Sequence, residues 1–355
     1  MIFYYTFWLF VLILGMRWLH RRTSKYVSVI FLLQLLLLLA LKDGQYFDFN
    51  QYRKFFQSAD VSSIPAYPEP SYYYISIFFK SIGLDFYAMG LLYYGLAFLF
   101  IYLAIARCSQ SPLCSLFIYL AMPIFFLSQY IAMRQALSIA IFLYATMLAV
   151  ERKKSYVSWA LLLSGALIHY SMLIPIFIFA CLRKFLYIKF SPLVYSVLVL
   201  VSFCLAFSNT AIFQVAFGIF DFPIFARYEN RVAGDSAVNI LRSLVYIGVY
   251  FIVLWLFSWK KIVPTFEIVA FNLFSIGMCL TLLGSGLMDV NRLSNYFLIF
   301  IIILIPNFVT TRNSRLSQGF RRFTEAALVV VFVNYFYYGI YNNHEVFLNY
   351  KMLNF

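Results

Sequence analysis

Apolar runs of membrane-crossing length alternate with short polar connections along the chain. A helix needs about 20 apolar residues to cross the hydrocarbon, within a range of about 17–25. On that measure the pattern predicts spans near 2–18, 26–41, 86–106, 112–129, 135–150, 190–208, 238–258, 264–285, 291–310 and 324–341. Residues 72–83, YYYISIFFKSIG, are apolar but too short to cross, and read as an interfacial or re-entrant helix. The connections 42–71 and 209–237 are expected as long loops of a single polytopic domain spanning 1–355.

Sidedness follows from the basic clusters, because Lys and Arg concentrate in cytoplasmic connections. RWLHRRTSK, ERKK, RKFLYIK, WKK and TRNSRLSQGFRR are therefore expected inside. Alternation then puts both termini and the loops 42–71 and 209–237 outside. Residues 155–182 start and finish inside, yet are too few for two full helices. Two short arms, 156–168 and 171–182, would each reach only about 20 Å at 1.5 Å per residue. The bend falls near Gly165, His169 and Ser171, and non-helical backbone at that depth is tolerated where it lines a cavity. The rival is one long tilted helix, which would invert everything behind it. The expected fold is thus an all-α integral membrane protein of about 11–12 transmembrane helices, counting a broken or re-entrant pair near His169.

Composition supports this and removes other classes. The 355 residues are 64% hydrophobic and 11% charged, against about 25% charged in soluble domains. The net charge of +14 lies largely in short connections, with no basic tail, so nucleic-acid binding is excluded. Five cysteines show no CxxC or CxxH spacing and three histidines are scattered, so neither a disulfide framework nor a metal site is expected. The first apolar run carries its charges after it, which reads as a retained span and not a secretory signal.

Against that background Arg134 stands out as the only charged residue between Cys108 and Val150. A lone cation among spans is expensive and reads as functional when it faces protein or water. His169, Arg227, Arg242 and Arg292 stand in similar settings. With Asp48, Glu69, Glu229, Arg231 and Asp289 they fall on the outer side, mixed in sign and interleaved with aromatics. An outward cavity of that make-up suits phosphate plus sugar. Ion pairing is the plainer account of several of them: Arg292 with Asp289, Arg227 with Glu229, Arg231 with Asp235. Arg242 has a snorkelling alternative.

The order of these elements resembles the EpsG/Wzy-type family of bacterial polysaccharide polymerases over roughly residues 1–310. The matching stretches are KDGQYFDFNQYRKFF, YPEPSYYYISIFFKSIG, MRQALSIAIFLYA, LIHYSML, ARYENR and NRLSNYF. The resemblance implies a glycosyltransferase of the bacterial inner membrane with its active site facing the periplasm. It would join oligosaccharide repeat units carried on undecaprenyl pyrophosphate, moving the growing glycan onto the next lipid-linked unit. It also implies a fold like the C-type membrane glycosyltransferases, no cofactor or metal, and a chain-length regulator and flippase as working partners beside the bilayer.

Such a reaction needs preorganised cations where the leaving pyrophosphate gains charge. Arginine fits, because its planar fork stays charged and binds phosphate oxygens bidentately. Arg134, Arg227 and Arg292 are the candidates, each near an outer helix end, where an N-terminal dipole adds positive charge. His169 is a candidate base for the acceptor hydroxyl, a pyrophosphate or sugar ligand, or a structural histidine at a broken helix. Asp289, Asp48 and Glu69 are carboxylate alternatives. Asp48, Tyr52, Glu69, Gln135, Tyr170, Tyr228, Glu229, Arg231, Arg242 and Tyr296 are expected to line the substrate site. A flippase or other transporter is a rival, but the chain shows no internal repeat and its charges gather on one side, not at the midplane. An O-antigen ligase would share the pyrophosphate site and differ in acceptor. An inactive assembly partner leaves the outer arginines unexplained.

Overall fold

The computed structural model describes residues 2–18, 21–43, 47–60, 71–125, 131–151, 155–206, 236–284, 288–310, 317–342 and 351–352. Its helices are α1 (Ile2–Trp18), α2 (Arg21–Ala40), α3 (Phe47–Ser58), α4 (Ser71–Ser81), α5 (Phe86–Cys108) and α6 (Pro112–Ala121). Then come α7 (Met133–Val150), α8 (Ser155–Ile168), α9 (Leu173–Cys181), α10 (Arg183–Leu186) and α11 (Pro192–Ala206). The last are α12 (Ser236–Trp259), α13 (Thr265–Leu283), α14 (Met288–Leu298), α15 (Ile301–Thr310) and α16 (Gln318–Asn342). A two-residue ladder pairs Lys42–Asp43 (β1) antiparallel to Lys351–Met352 (β2).

The chain is an all-α integral membrane protein. Among the described residues six helices are long and apolar enough to cross a membrane, and six more apolar helices are shorter. Together the two sets occupy every expected span and both arms of the broken pair. The most enclosed is α7, with 89% of its residues buried, whereas the span in α16 is 33% buried. So α7 is the axis of the bundle, wrapped by α5, α8, α13 and α14. Exposed Leu, Ile and Phe on α1, α2, α9 and α11 form an outer surface suited to lipid.

The broken pair is a hairpin. α8 ends at Ile168, His169 is extended (φ −150°, ψ 112°), and a 3-10 turn, Tyr170–Met172, leads into α9. A single continuous helix would hold Trp159 and Phe179 about 30 Å apart. Their ring centres are instead 6.3 Å apart, so the arms fold back on each other and the long tilted helix is excluded. Gly165 lets Met172 pack close to α8 at the bend, since a Cβ there would overlap the Met172 sulfur as it stands.

Three boundaries differ from expectation. The stretch expected as outer loop contains α3, a helix burying Phe49, Tyr52 and Phe56 on one face. The span expected over 112–129 breaks at Met122 (φ −94°, ψ 105°), because the following Pro123 disfavours a helical residue before it. The span at 291–310 is divided into α14 and α15, with Phe300, Ile302 and Ile303 bonding three residues back around the join.

Among the described residues, the basic connections after α5, α7, α10 and α12 gather at one end. Arg107 at the end of α5 pairs with Glu151 just past α7. Lys260 donates to Glu267 at 2.6 Å, Asn307 donates to Glu267 at 3.2 Å and to the Cys108 carbonyl at 2.8 Å, and Asn307 accepts from the Gln110 N–H at 2.7 Å. Lys189 lies over the Phe257 ring, and Asn272 donates to the carbonyls of Leu186 and Ile188. The connections around 151, 184, 189 and 260 therefore share an end. That end lies opposite the start of α7, about 27 Å away along an 18-residue helix.

Candidate functional site

At the far end of α7, short helices close over the bundle. α4 turns into α5 through Gly83, whose φ of 75° needs no Cβ penalty. The Leu84 N–H then bonds back to the Phe79 carbonyl at 2.9 Å, and Asp85 caps α5 by accepting from the Ala88 N–H at 2.9 Å. Lys80 on α4 donates to the carbonyls of Gln57 (3.1 Å) and Ala59 (2.8 Å), placing its charge at the negative end of α3. Phe49 and Phe56 of α3 meet Phe86 edge-on. These contacts hold α3 and α4 as one wall beside the start of α7.

Arg134 is the second residue of α7 and half-buried. Its guanidinium carbon lies 5.1 Å from the Tyr52 ring centre on α3 and 5.2 Å from the Tyr72 ring centre on α4. The Tyr72 hydroxyl donates to the Tyr52 carbonyl at 2.8 Å, which ties α4 to the backbone of α3. The cation therefore stands in an aromatic cleft at the mouth of the most enclosed helix. Tyr72 lies in the stretch YPEPSYYYISIFFKSIG, but the sequence does not single it out. It is one tyrosine among 29, and no spacing marks it.

Two further elements converge on this point. Gln135, 3% exposed, donates through Nε2 to the Arg292 carbonyl at 3.0 Å, which seats the early turns of α14 against the start of α7. Tyr296, one turn after Arg292, is fully buried and shares a 3.0 Å hydrogen bond with Ser171 in the hairpin apex. The apex is also fixed to α4, through Ser71 Oγ donating to the Leu167 carbonyl at 2.5 Å. His169 and Arg292 are half-buried and Tyr170 is 37% exposed, so this cluster is open to something outside the bundle. Asp48 lies in the first turn of α3, one turn before Tyr52 and half-buried.

The structure thus brings the elements carrying Arg134, Gln135, His169, Tyr170, Arg292, Tyr296 and Tyr52 together, and Asp48 lies on α3 one turn before Tyr52. Asp289 lies in the first turn of α14 and Arg242 in the second turn of α12, but their side chains are outside what the structure describes. Glu69, Arg227, Tyr228, Glu229 and Arg231 lie outside the described residues altogether.

Beside the arginine cleft, Lys42 is a second cation that sequence reasoning passed over. It is 1% exposed, with its ammonium 5.3 Å from the Tyr94 ring centre and 5.8 Å from that of Phe49. Burial lowers its pKa to about 7. It lines one small cavity with Tyr52 and Met133, the residue preceding Arg134 on α7. Among the described residues no three His, Cys, Asp or Glu side chains stand in a metal-holding group.

This end of the molecule offers fixed cations, a histidine at a helix break and aromatic faces, which can hold an anionic group next to a neutral polar one. Comparisons with curated proteins and with solved structures give no significant match. A family model does match, across residues 25–352, and on that nearly full-length agreement the chain belongs to the EpsG family, membrane proteins of the polysaccharide-polymerase type.

Proposed function

We propose that the protein is a glycosyltransferase that polymerises undecaprenyl-pyrophosphate-linked oligosaccharide repeat units on the periplasmic face of the bacterial inner membrane. The observation that carries this reading is the convergence of Arg134, the Arg292 turn and His169 at the end opposite the basic connections. By the positive-inside rule that end faces the periplasm.

In the reaction an acceptor sugar hydroxyl attacks the anomeric carbon of the donor glycan. The new glycosidic bond forms as the bond from that carbon to the pyrophosphate oxygen breaks. The electron pair leaves with undecaprenyl pyrophosphate, and the hydroxyl proton passes to a base on the protein. Arg134 meets the developing negative charge. Its two tyrosine faces restrict the guanidinium before substrate arrives, so little reorganisation is needed at the moment of transfer. Arg292 adds a second cation, and Arg227 a third from its outer loop. The N-termini of α7 and α14 add their dipoles. His169 takes the hydroxyl proton, and Asp48, Glu69 and Asp289 are the carboxylate candidates to orient or replace it. Tyr52 and Tyr170 offer faces for sugar C–H groups. The arginines supply the charge that a divalent metal would otherwise provide, so turnover requires none.

The test is extension of a synthetic pyrophosphate-linked repeat unit by the purified protein in excess EDTA. A ladder of polymer is expected. No extension of the lipid-linked acceptor overturns polymerisation. Transfer to a different acceptor class would make it a ligase, and activity that returns only with Mg²⁺ overturns the metal-free mechanism.

A further inference from the structure

We infer that Ser138 is a positioning residue of the proposed glycosyl transfer: its hydroxyl latches the apex of the α8–α9 hairpin to α7 and so fixes where His169 stands relative to Arg134. The inference rests on the glycosyl-transfer reading above.

Ser138 lies four residues after Arg134, on the same face of α7 and fully buried. A serine inside a helix ordinarily bonds to its own carbonyl four residues back. Ser28, Ser76, Ser202, Ser258 and Ser275 all do so in this protein. Ser138 instead reaches to another element: its Oγ donates to the Gly165 carbonyl at 2.6 Å and lies 3.3 Å from the Met172 sulfur. The same Gly165 carbonyl accepts the His169 N–H at 3.0 Å, and the His169 carbonyl accepts the Met172 N–H at 3.0 Å. The backbone of His169 is therefore bonded, before and after, to the two residues that the Ser138 hydroxyl touches. A side chain at Gly165 would displace the Met172 sulfur from its place beside the Ser138 hydroxyl. The turn of α7 that carries Arg134 thus holds both neighbours of the site. Gln135 holds Arg292, and Ser138 holds the apex that presents His169.

Removing the hydroxyl leaves the fold intact, since the Gly165 carbonyl keeps its bond from His169 and no buried acceptor is orphaned. What is lost is the tether between α7 and the apex. A base displaced by about 1 Å costs on the order of 10- to 100-fold in turnover without changing the groups that bind substrate. The experiment uses the full-length protein in lipid nanodiscs with the synthetic pyrophosphate-linked repeat unit. Amide exchange of the peptide over residues 165–173 is followed by mass spectrometry, beside kcat and KM. Ser138→Ala should speed exchange in that peptide and lower kcat by about 10- to 100-fold, with KM for the lipid-linked substrate nearly unchanged. Ser138→Thr, which keeps the hydroxyl, should recover exchange and kcat together. Unchanged exchange in Ser138→Ala overturns the latch. Faster exchange with kcat retained overturns the positioning role, as does a Thr variant that recovers protection but not turnover. A wild-type protein that transfers no sugar overturns the glycosyl-transfer reading instead, and the exchange measurement still decides whether the latch exists.

Discussion

A guanidinium at the end of a bundle core can be tolerated through polar partners or through polarisable faces. Arg134 has two such faces, the rings of Tyr52 and Tyr72. A ring quadrupole attracts a cation without neutralising it, so these contacts hold the guanidinium in place. Arg134→Ala should lower polymer formation by about 10²–10³-fold, the usual effect of losing one preorganised donor to a developing anion. Arg134→Lys should stay impaired, since a point charge does not reproduce the bidentate fork. Tyr72→Phe keeps the ring and should be mild. Tyr72→Leu removes a cation–π face worth about 0.5–2 kcal/mol and should cost roughly 2- to 30-fold. Initial rates of extension measure all four, and wild-type rates in Arg134→Ala would remove the arginine from the site. Lys42 gives a prediction of a different kind. Its folded pKa of about 7 lies below the ordinary 10.5. Between those values the unfolded chain binds more protons, so stability contributed here rises with pH from about 7 towards 10.5 and is lowest below 7. Lys42→Met should flatten that rise in thermal midpoint and raise the midpoint most at pH values below about 7. An unchanged pH slope would show that Lys42 keeps its proton throughout.

At the scale of elements, much was legible because membrane length is a hard constraint. The hairpin followed from counting: two basic clusters on one side and too few residues between them for two crossings. The contact of Trp159 with Phe179 is its structural counterpart. α3 was legible in principle, since Phe49, Tyr52 and Phe56 recur at helical spacing. Its Asp48, Gln51, Arg53 and Lys54 made the stretch read as loop, and only packing against Phe86 decides it. Ser138 and Tyr72 could not have been picked out, because their roles depend on which helices become neighbours. The same holds for Gly277, where α13 meets α14. A Cβ there would come within 2.7 Å of the Phe297 Cβ and 3.0 Å of the Leu298 backbone nitrogen. Backbone cannot rotate away, so Gly277→Ala should push the helices apart and cost about 1–3 kcal/mol. Because Tyr296 adjoins that contact, activity should fall with it. On α12, a methyl group added at Gly248 would meet nothing within 4 Å, so Gly248→Ala should be neutral or slightly stabilising. Thermal midpoints in nanodiscs compare the two, and equal midpoints would deny the close approach of α13 and α14.

For the whole molecule, the decisive property is which end faces out. The bundle is polarised along α7. Arg134, His169, Arg292 and the α3–α4 wall stand at one end, and Arg107, Glu151, Lys184, Lys189 and Lys260 at the other. The positive-inside rule turns that polarity into an orientation. The hairpin makes the test sharp, because it returns Lys184 to the same end as Glu151, whereas a single crossing would have carried it to the opposite side. Single cysteines at Asp60, Lys184 and Lys261 probe the exposed surface at both ends in a background lacking the five native cysteines. Asp60→Cys should react with an impermeant maleimide in intact spheroplasts, while Lys184→Cys and Lys261→Cys should react only after lysis. Labelling of Lys184→Cys without lysis would break the hairpin reading of sidedness. The reverse pattern at all three positions would put the arginine cleft in the cytoplasm, where a periplasmic polymerase has no use for it.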